Sequence, residues 1–300
     1  MKLIDAFMVI KVKRGVYMSK VAIITDSTAA IDPEVAAAHN ITVVPLTVNW
    51  DGQTLKDGID ITGEDFYERL PKAKNLPTTS QPSPNDFAEA YEKLLGKGFD
   101  IFTIVISAGI SGTYDSATQA LAHFPGKNIK VMNSQQASMP LTMAAMRVAK
   151  AAQKGASLLE VENVAKDVCN RVVTLFILDT LEYLHRGGRI GAASRFLGTA
   201  LNLKPILTLD DGIIKPVGKV RTFKKAALNI FEKAEEQLGK GGKIDYLGLV
   251  TTYEPEVEKQ FIDEARSRFT INELETGLIS PVIGVHVGPG AVGFVYLPEI

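Results

Sequence analysis

Short apolar runs alternate with segments of helical periodicity along the first half of the chain. Val21–Thr25 (VAIIT), Asp100–Ile106 (DIFTIVI) and Asn128–Met132 are runs too short for helices, each ending in a polar loop. Such runs predict strands buried on both faces, as in a parallel sheet. Asp32-Pro33 and Thr62-Gly63-Glu64-Asp65 open helices, and Asp51-Gly52 marks a hairpin after a strand over Ile41–Val48. Ser83-Pro84 followed by Asp86 is a helix start with a capping pattern. The polar stretch before it, PTTSQPSP (77–84), therefore reads as a loop delivering the chain into a helix rather than a linker. Two longer helical patterns, roughly 138–154 and 157–170, follow on either side of Gly155.

The second half has a different rhythm. A strand over Val172–Leu178 leads to LEYLHRGGRIG, a short helix running into a glycine turn. Pro205–Leu209 and Ile213–Lys219 flank Asp210-Asp211-Gly212 as a hairpin. Helices over about 222–239 and 255–268 are followed by apolar segments that read as strands near 244–251, 272–279, 282–287 and 291–297. The expected fold is α/β: a doubly wound N-terminal domain with a mostly parallel sheet (20–155), then a C-terminal α+β domain with a mixed sheet (156–300). Residues 1–19 read as an N-terminal extension, with Met18 a candidate start. Their charges follow the apolar stretch, the reverse of a signal peptide, so a cytoplasmic location is expected.

Composition narrows the function. The chain has 300 residues and a formal net charge of −1, which offers no basic surface for nucleic acid. No run reaches membrane-spanning length. Cys169 is the single cysteine and sits in an apolar helical pattern, so it reads as a buried structural thiol. His39, His123, His185 and His286 lie far apart, which disfavours a histidine metal site. No metal and no resident cofactor are expected.

Several polar stretches could carry chemistry. SAGISGT (107–113) lies between a strand and a helix, where backbone N–H groups favour an anion, or where an ordinary capped turn suffices. It lacks the Gly-Lys-Ser/Thr of a nucleotide-binding loop. Thr79 and Ser80 can either orient an acyl head or be plain surface. His286 stands between valines before a Gly-Pro-Gly turn, either as a buried structural histidine or as a ligand group. Arg186 and Arg189 flank two glycines, either as helix C-terminal partners or as a carboxylate fork. Phe196, Leu197, Leu201, Leu203 and Ile206 fit a lipid tunnel or plain core equally.

Together these stretches resemble the DegV family. The matches are TDST (25–28), TTSQPSP (78–84), ISAGISGTYDSA (106–117), LEYLHRGGRIG (181–191), LNLKPIL (201–207), GKVRT (218–222) and GVHVGPGAVG (284–293). The resemblance implies a two-domain α/β protein, with a first domain like part of dihydroxyacetone kinase and a long-chain fatty acid bound between the domains. It implies the fatty-acid-binding subunit of a bacterial fatty-acid kinase, whose separate kinase subunit holds ATP and makes an acyl phosphate for phospholipid synthesis. Carried onto this chain, the carboxylate site comprises Thr78 or Thr79, Ser80, Ser107, Ser111, Arg189 and His286. Two departures stand out: Ala108 where the family has a second serine, and Asn133 where it has aspartate. If that serine is a carboxylate ligand, Ala108 weakens head-group binding. A monomer with transient membrane contact is expected. The competing readings are a self-contained phosphotransferase, a Ser/His hydrolase, and a lipid-sensing interaction protein.

Overall fold

The computed structural model describes residues 20–197, 203–252 and 254–299. The N-terminal extension, with its candidate start Met18, and Leu201 lie outside these residues.

The chain opens with β1 (Val21–Asp26), α1 (Pro33–Ala38) and β2 (Ile41–Val44). An antiparallel hairpin follows, β3 (Thr47–Trp50) and β4 (Gln53–Lys56), then α2 (Gly63–Arg69) and the three-residue β5 (Thr78–Ser80). Next come α3 (Pro84–Leu95), β6 (Asp100–Val105), α4 (Thr113–Ala120), β7 (Ile129–Asn133), α5 (Met139–Gln153) and α6 (Leu158–Arg171). Strands β2-β1-β6-β7 form a parallel sheet with helices on both faces. Asp32, Thr62 and Ser83 cap their helices as expected, the last with a complete capping box.

Two expectations in this half are corrected. The strand expected over Ile41–Val48 is two strands, with Pro45 and Leu46 between them. Proline cannot donate to a ladder, and beyond it the chain leaves β1 to pair with β4 and β5 in a separate sheet, β4-β3-β5. TTS is a strand rather than a loop. Its partner is β3, about thirty residues earlier, which no local pattern signals.

The rest of the chain builds β8 (Val173–Ile177), α7 (Glu182–Arg186), the hairpin β9 (Lys204–Asp210) and β10 (Ile213–Val220), α8 (Phe223–Leu238) and β11 (Lys243–Thr251). It ends with α9 (Pro255–Arg268), β12 (Thr270–Leu278), α10 (Pro281–Val287) and β13 (Val292–Pro298). Strand order is β10-β9-β8-β13-β11-β12, and only β11 and β12 run parallel. The mixed sheet expected here is present, beside the parallel one.

The third correction concerns 282–287, expected as a strand. It is the helix α10, capped by Ser280, whose hydroxyl accepts from Ile283 N–H, with Pro281 at its first position. Gly288 (φ 71°) stops it. Ile283, Val285 and Val287 recur every second residue while Val282 and Val285 are three apart, so period two and helical spacing compete, and the Ser-Pro start signal decides.

The second sheet is buried on both faces. In β13, Phe294 and Tyr296 face α8 and α9, whereas Val295 and Leu297 face the first half of the molecule. Helices α5 and α6 fill the space between, α5 touching β1 and β11 and α6 touching β6 and β13. One apolar cluster therefore runs across residue 155, joining Ile23, Val148, Ala165 and Val295.

Candidate functional site

Between the second sheet and the first half lies a cavity of about 380 Å³. Its walls are mainly apolar: Phe176, Leu209, Val250 and Val295 from the sheet, Leu46 and Ile106 from the first half. At one end the lining turns polar, with Thr79, Ser80, Gln81, Ser111, Arg189 and His286.

The polar end is assembled from three parts of the chain. In β5, alternation turns Thr79 away from the exposed Thr78 and Ser80. Its hydroxyl makes a 2.8 Å hydrogen bond with Nε2 of His286, in the last turn of α10. The glycine turn after α7 supplies Arg189, which donates from Nε to the Ile110 carbonyl (3.0 Å) and from Nη1 to the Gly187 carbonyl (2.7 Å). Arg189 thus ties the turn to the loop before α4. A Cβ on Gly187 would sit 2.2 Å from Nδ1 of His286, so glycine is needed for the imidazole to lie against the turn.

Burial, assisted by the Arg189 charge, lowers the His286 pKa to about 4. The ring is therefore a neutral imidazole at physiological pH, and its Nδ1 is buried without a hydrogen-bond partner. In an NMR titration of the imidazoles, His286 is expected to protonate near pH 4 instead of 6.5. A neutral donor and acceptor can orient an anion without the locking strength of an ion pair.

The structure brings together Thr79, Ser80, Ser111, Arg189 and His286 around one cavity. Ser111 shares a 2.8 Å hydrogen bond with the Thr113 hydroxyl, and Ser80 accepts from Asn49 Nδ2 (2.9 Å). Thr78 is exposed and lies outside the cavity wall, although Ser80, on the same face of β5, reaches it. Ser107 is also outside it. Fully buried, its hydroxyl donates to the Gly212 carbonyl (2.7 Å) and accepts from Gly109 N–H (3.1 Å). It latches the loop to the β9–β10 turn instead of facing a ligand.

The two departures from the family pattern meet each other. Asn133 Oδ1 accepts from Ala108 N–H (3.0 Å) and from Gln135 N–H (3.1 Å). Ala108 is exposed and does not line the cavity, so the loss of its hydroxyl leaves the cavity wall unchanged.

Phe196, Leu197, Leu203 and Ile206 do not line the cavity. Ile206 belongs to the core on the far face of the sheet. Three polar wall residues escaped the sequence reading: Gln81, Ser138, and Thr174 of β8, whose hydroxyl is buried without a partner. Gln81 lies with its amide over Gly112, where a Cβ would come within 2.3 Å of it, and its place in TTSQP was the available signal. Ser138 precedes α5 at φ 60° and ψ −141°, a conformation costly for any residue but glycine. No pattern in the sequence announces it.

This chain can be compared with known proteins. The family model described as "Uncharacterised protein, DegV family" matches residues 20–299. The chain belongs to the DegV family. A DegV domain-containing protein of Caldanaerobacter subterraneus is 37% identical over 281 residues, covering 92% of this chain and 98% of its own. Solved DegV structures share the fold. A Thermus thermophilus DegV family protein, described for its fatty acid binding, matches at 33% identity with a TM-score of 0.87, covering 93% of this chain and all (100%) of its own. DegV of Bacillus subtilis, described as a fatty acid binding protein, matches at 32% identity and a TM-score of 0.82, covering 94% and 100%. Fatty-acid binding is thus a property of DegV relatives with this architecture. Among the described residues, no helix is long and apolar enough to cross a membrane, and no group of three or more His, Cys, Asp or Glu could hold a metal ion.

Proposed function

We propose that this protein binds a long-chain fatty acid in the cavity between its mixed sheet and its first half, with the carboxylate at Thr79 and His286. The observation that carries this reading is the shape of the cavity: apolar walls along the second sheet, and one polar end built from hydroxyls, a neutral imidazole and Arg189. The chemistry matches a fatty acid at both ends, since the tail needs only water exclusion and the head needs donors. Ser111, Ser80 and Gln81 extend the polar end toward the carboxylate.

The same arrangement suits a carrier that presents its ligand. Hydroxyls and a neutral ring hold a carboxylate by hydrogen bonds, leaving an oxygen nucleophilic toward a phosphoryl donor. We assign the donor, ATP, to a separate kinase subunit, because SAGISGT has no lysine of the phosphate-binding type. A cytoplasmic site of action with transient membrane contact fits this role. The hydrolase reading is disfavoured by His286, whose Nε2 is engaged by a threonine in a β-strand and whose Nδ1 has no carboxylate behind it.

Organic extraction of protein purified from a bacterial host, followed by mass spectrometry, is expected to yield long-chain fatty acid in about one-to-one amount. Empty protein that also fails to take up added fatty acid would refute the binding role. For presentation, acyl phosphate is expected only when a fatty-acid kinase subunit and ATP are added together. Turnover by the isolated chain would favour the self-contained phosphotransferase.

A further inference from the structure

Behind the head-group site lies a second polar cluster that the reading above does not use. Asp57 follows β4 and is 2% exposed. Its Oδ1 accepts from Val282 N–H (3.4 Å) in the first turn of α10. Its Oδ2 is buried without a hydrogen-bond partner. The hydroxyls of Ser27, after β1, and Ser280, the cap of α10, face the carboxyl. Asp26 of β1 and Tyr67 of α2 are the titratable neighbours, and the Tyr67 hydroxyl is likewise buried without a partner. Gly284 of α10 packs against this wall so closely that a Cβ there would lie 2.6 Å from the Tyr67 hydroxyl.

A buried carboxylate is costly unless something requires it. Here it meets the start of a seven-residue helix whose last turn carries His286. So short a helix has little stability of its own; its placement depends on what holds its ends. We infer that Asp57 is a positioning residue of the head-group site: it anchors the N-terminal turn of α10 and thereby sets His286 against Thr79. This rests on the fatty-acid reading of the cavity for its functional meaning, but not for its geometry.

Ionisation of Asp57 strengthens the anchoring hydrogen bond, since charge-assisted bonds are about twice as strong as neutral ones. Burial raises its pKa to about 7. Head-group binding therefore responds to pH through Asp57 near neutrality, where His286 does not titrate.

The test uses the full chain, first without ligand and with 15N-labelled imidazoles. The wild-type His286 ring is expected to keep a single tautomer at neutral pH. Asp57→Ala is expected to move its signals toward those of a free ring and its titration upward toward 6.5. Asp57→Asn retains an acceptor for Val282 N–H and is expected to keep the wild-type tautomer. With a fluorescent long-chain fatty acid, the wild type is expected to bind about fivefold more tightly at pH 8 than at pH 6, and Asp57→Asn to abolish that difference. Unchanged His286 signals in Asp57→Ala, or an unchanged pH difference in Asp57→Asn, would overturn the assignment. If Asp57→Ala does not fold, the Asp57→Asn profile decides alone. A wild type that binds no fatty acid, yet whose His286 signals respond to Asp57→Ala, would refute the fatty-acid reading and leave the positioning role standing.

Discussion

A ten-carbon fatty acid is expected to bind this protein about three thousandfold more weakly than a sixteen-carbon one. The expectation follows from the cavity walls. Phe176, Leu209, Val250 and Val295 present hydrocarbon to the space beside the mixed sheet, and the polar groups other than Thr174 and Ser138 gather at one end. Each methylene moved from water into such surroundings contributes about 0.8 kcal/mol. Six fewer methylenes remove roughly 5 kcal/mol, and every 1.4 kcal/mol or so is a factor of ten in affinity. The head contributes orientation and little discrimination among chain lengths. Displacement of a fluorescent acid by a chain-length series at fixed pH measures the slope directly. An affinity independent of length would place the tail outside the cavity.

Asp57→Asn is expected to stabilise the fold at pH 8, by up to about 4 kcal/mol, and to lose that advantage as the pH falls toward 4. The carboxyl has its pKa raised from 3.8 to about 7, first by burial and further by the neighbouring Asp26 charge, against the Val282 N–H bond and the facing hydroxyls of Ser27 and Ser280. Below 3.8 the group is neutral in both folded and unfolded chains, and the wild type loses nothing. Between 3.8 and about 7 only the unfolded chain ionises, so wild-type stability falls as pH rises. Above that range the loss is complete and constant. The amide never ionises, so the variant escapes it. Thermal or urea unfolding of both chains from pH 4 to pH 8 gives the difference curve. A difference that does not grow with pH would contradict the burial argument. A residue that costs stability in this way and yet occupies the anchor of α10 is what a trade of stability for site geometry looks like.

Much of the fold was legible locally. Buried parallel strands announce themselves as short unbroken apolar runs, and Val21–Asp26 and Asp100–Val105 did so. Capping chemistry marked the helix starts at Asp32, Thr62 and Ser83, because each cap satisfies N–H groups within its own first turn. The segment 282–287 misled because Ile283, Val285 and Val287 recur every second residue while its real signal, Ser280-Pro281, lies just before it. β5 was illegible because three residues carry no period and their partner strand is remote.

The site divides in the same way. The sequence by itself determined the family, the alternation of strands and helices, and the polar stretches from which the residues at the cavity's polar end come. Only the tertiary structure decided which side chains face the cavity. It kept Thr79 and His286, turned Thr78 outward, spent Ser107 on the Gly212 carbonyl, and moved Ala108 off the wall. It also brought in Ser138 and Asp57, and chose Phe176 and Val295 for the wall over Phe196 and Ile206. The physical reason is that secondary structure is set by neighbours within a few residues, whereas facing depends on strand register and on contacts such as Thr79 with His286, 207 positions apart.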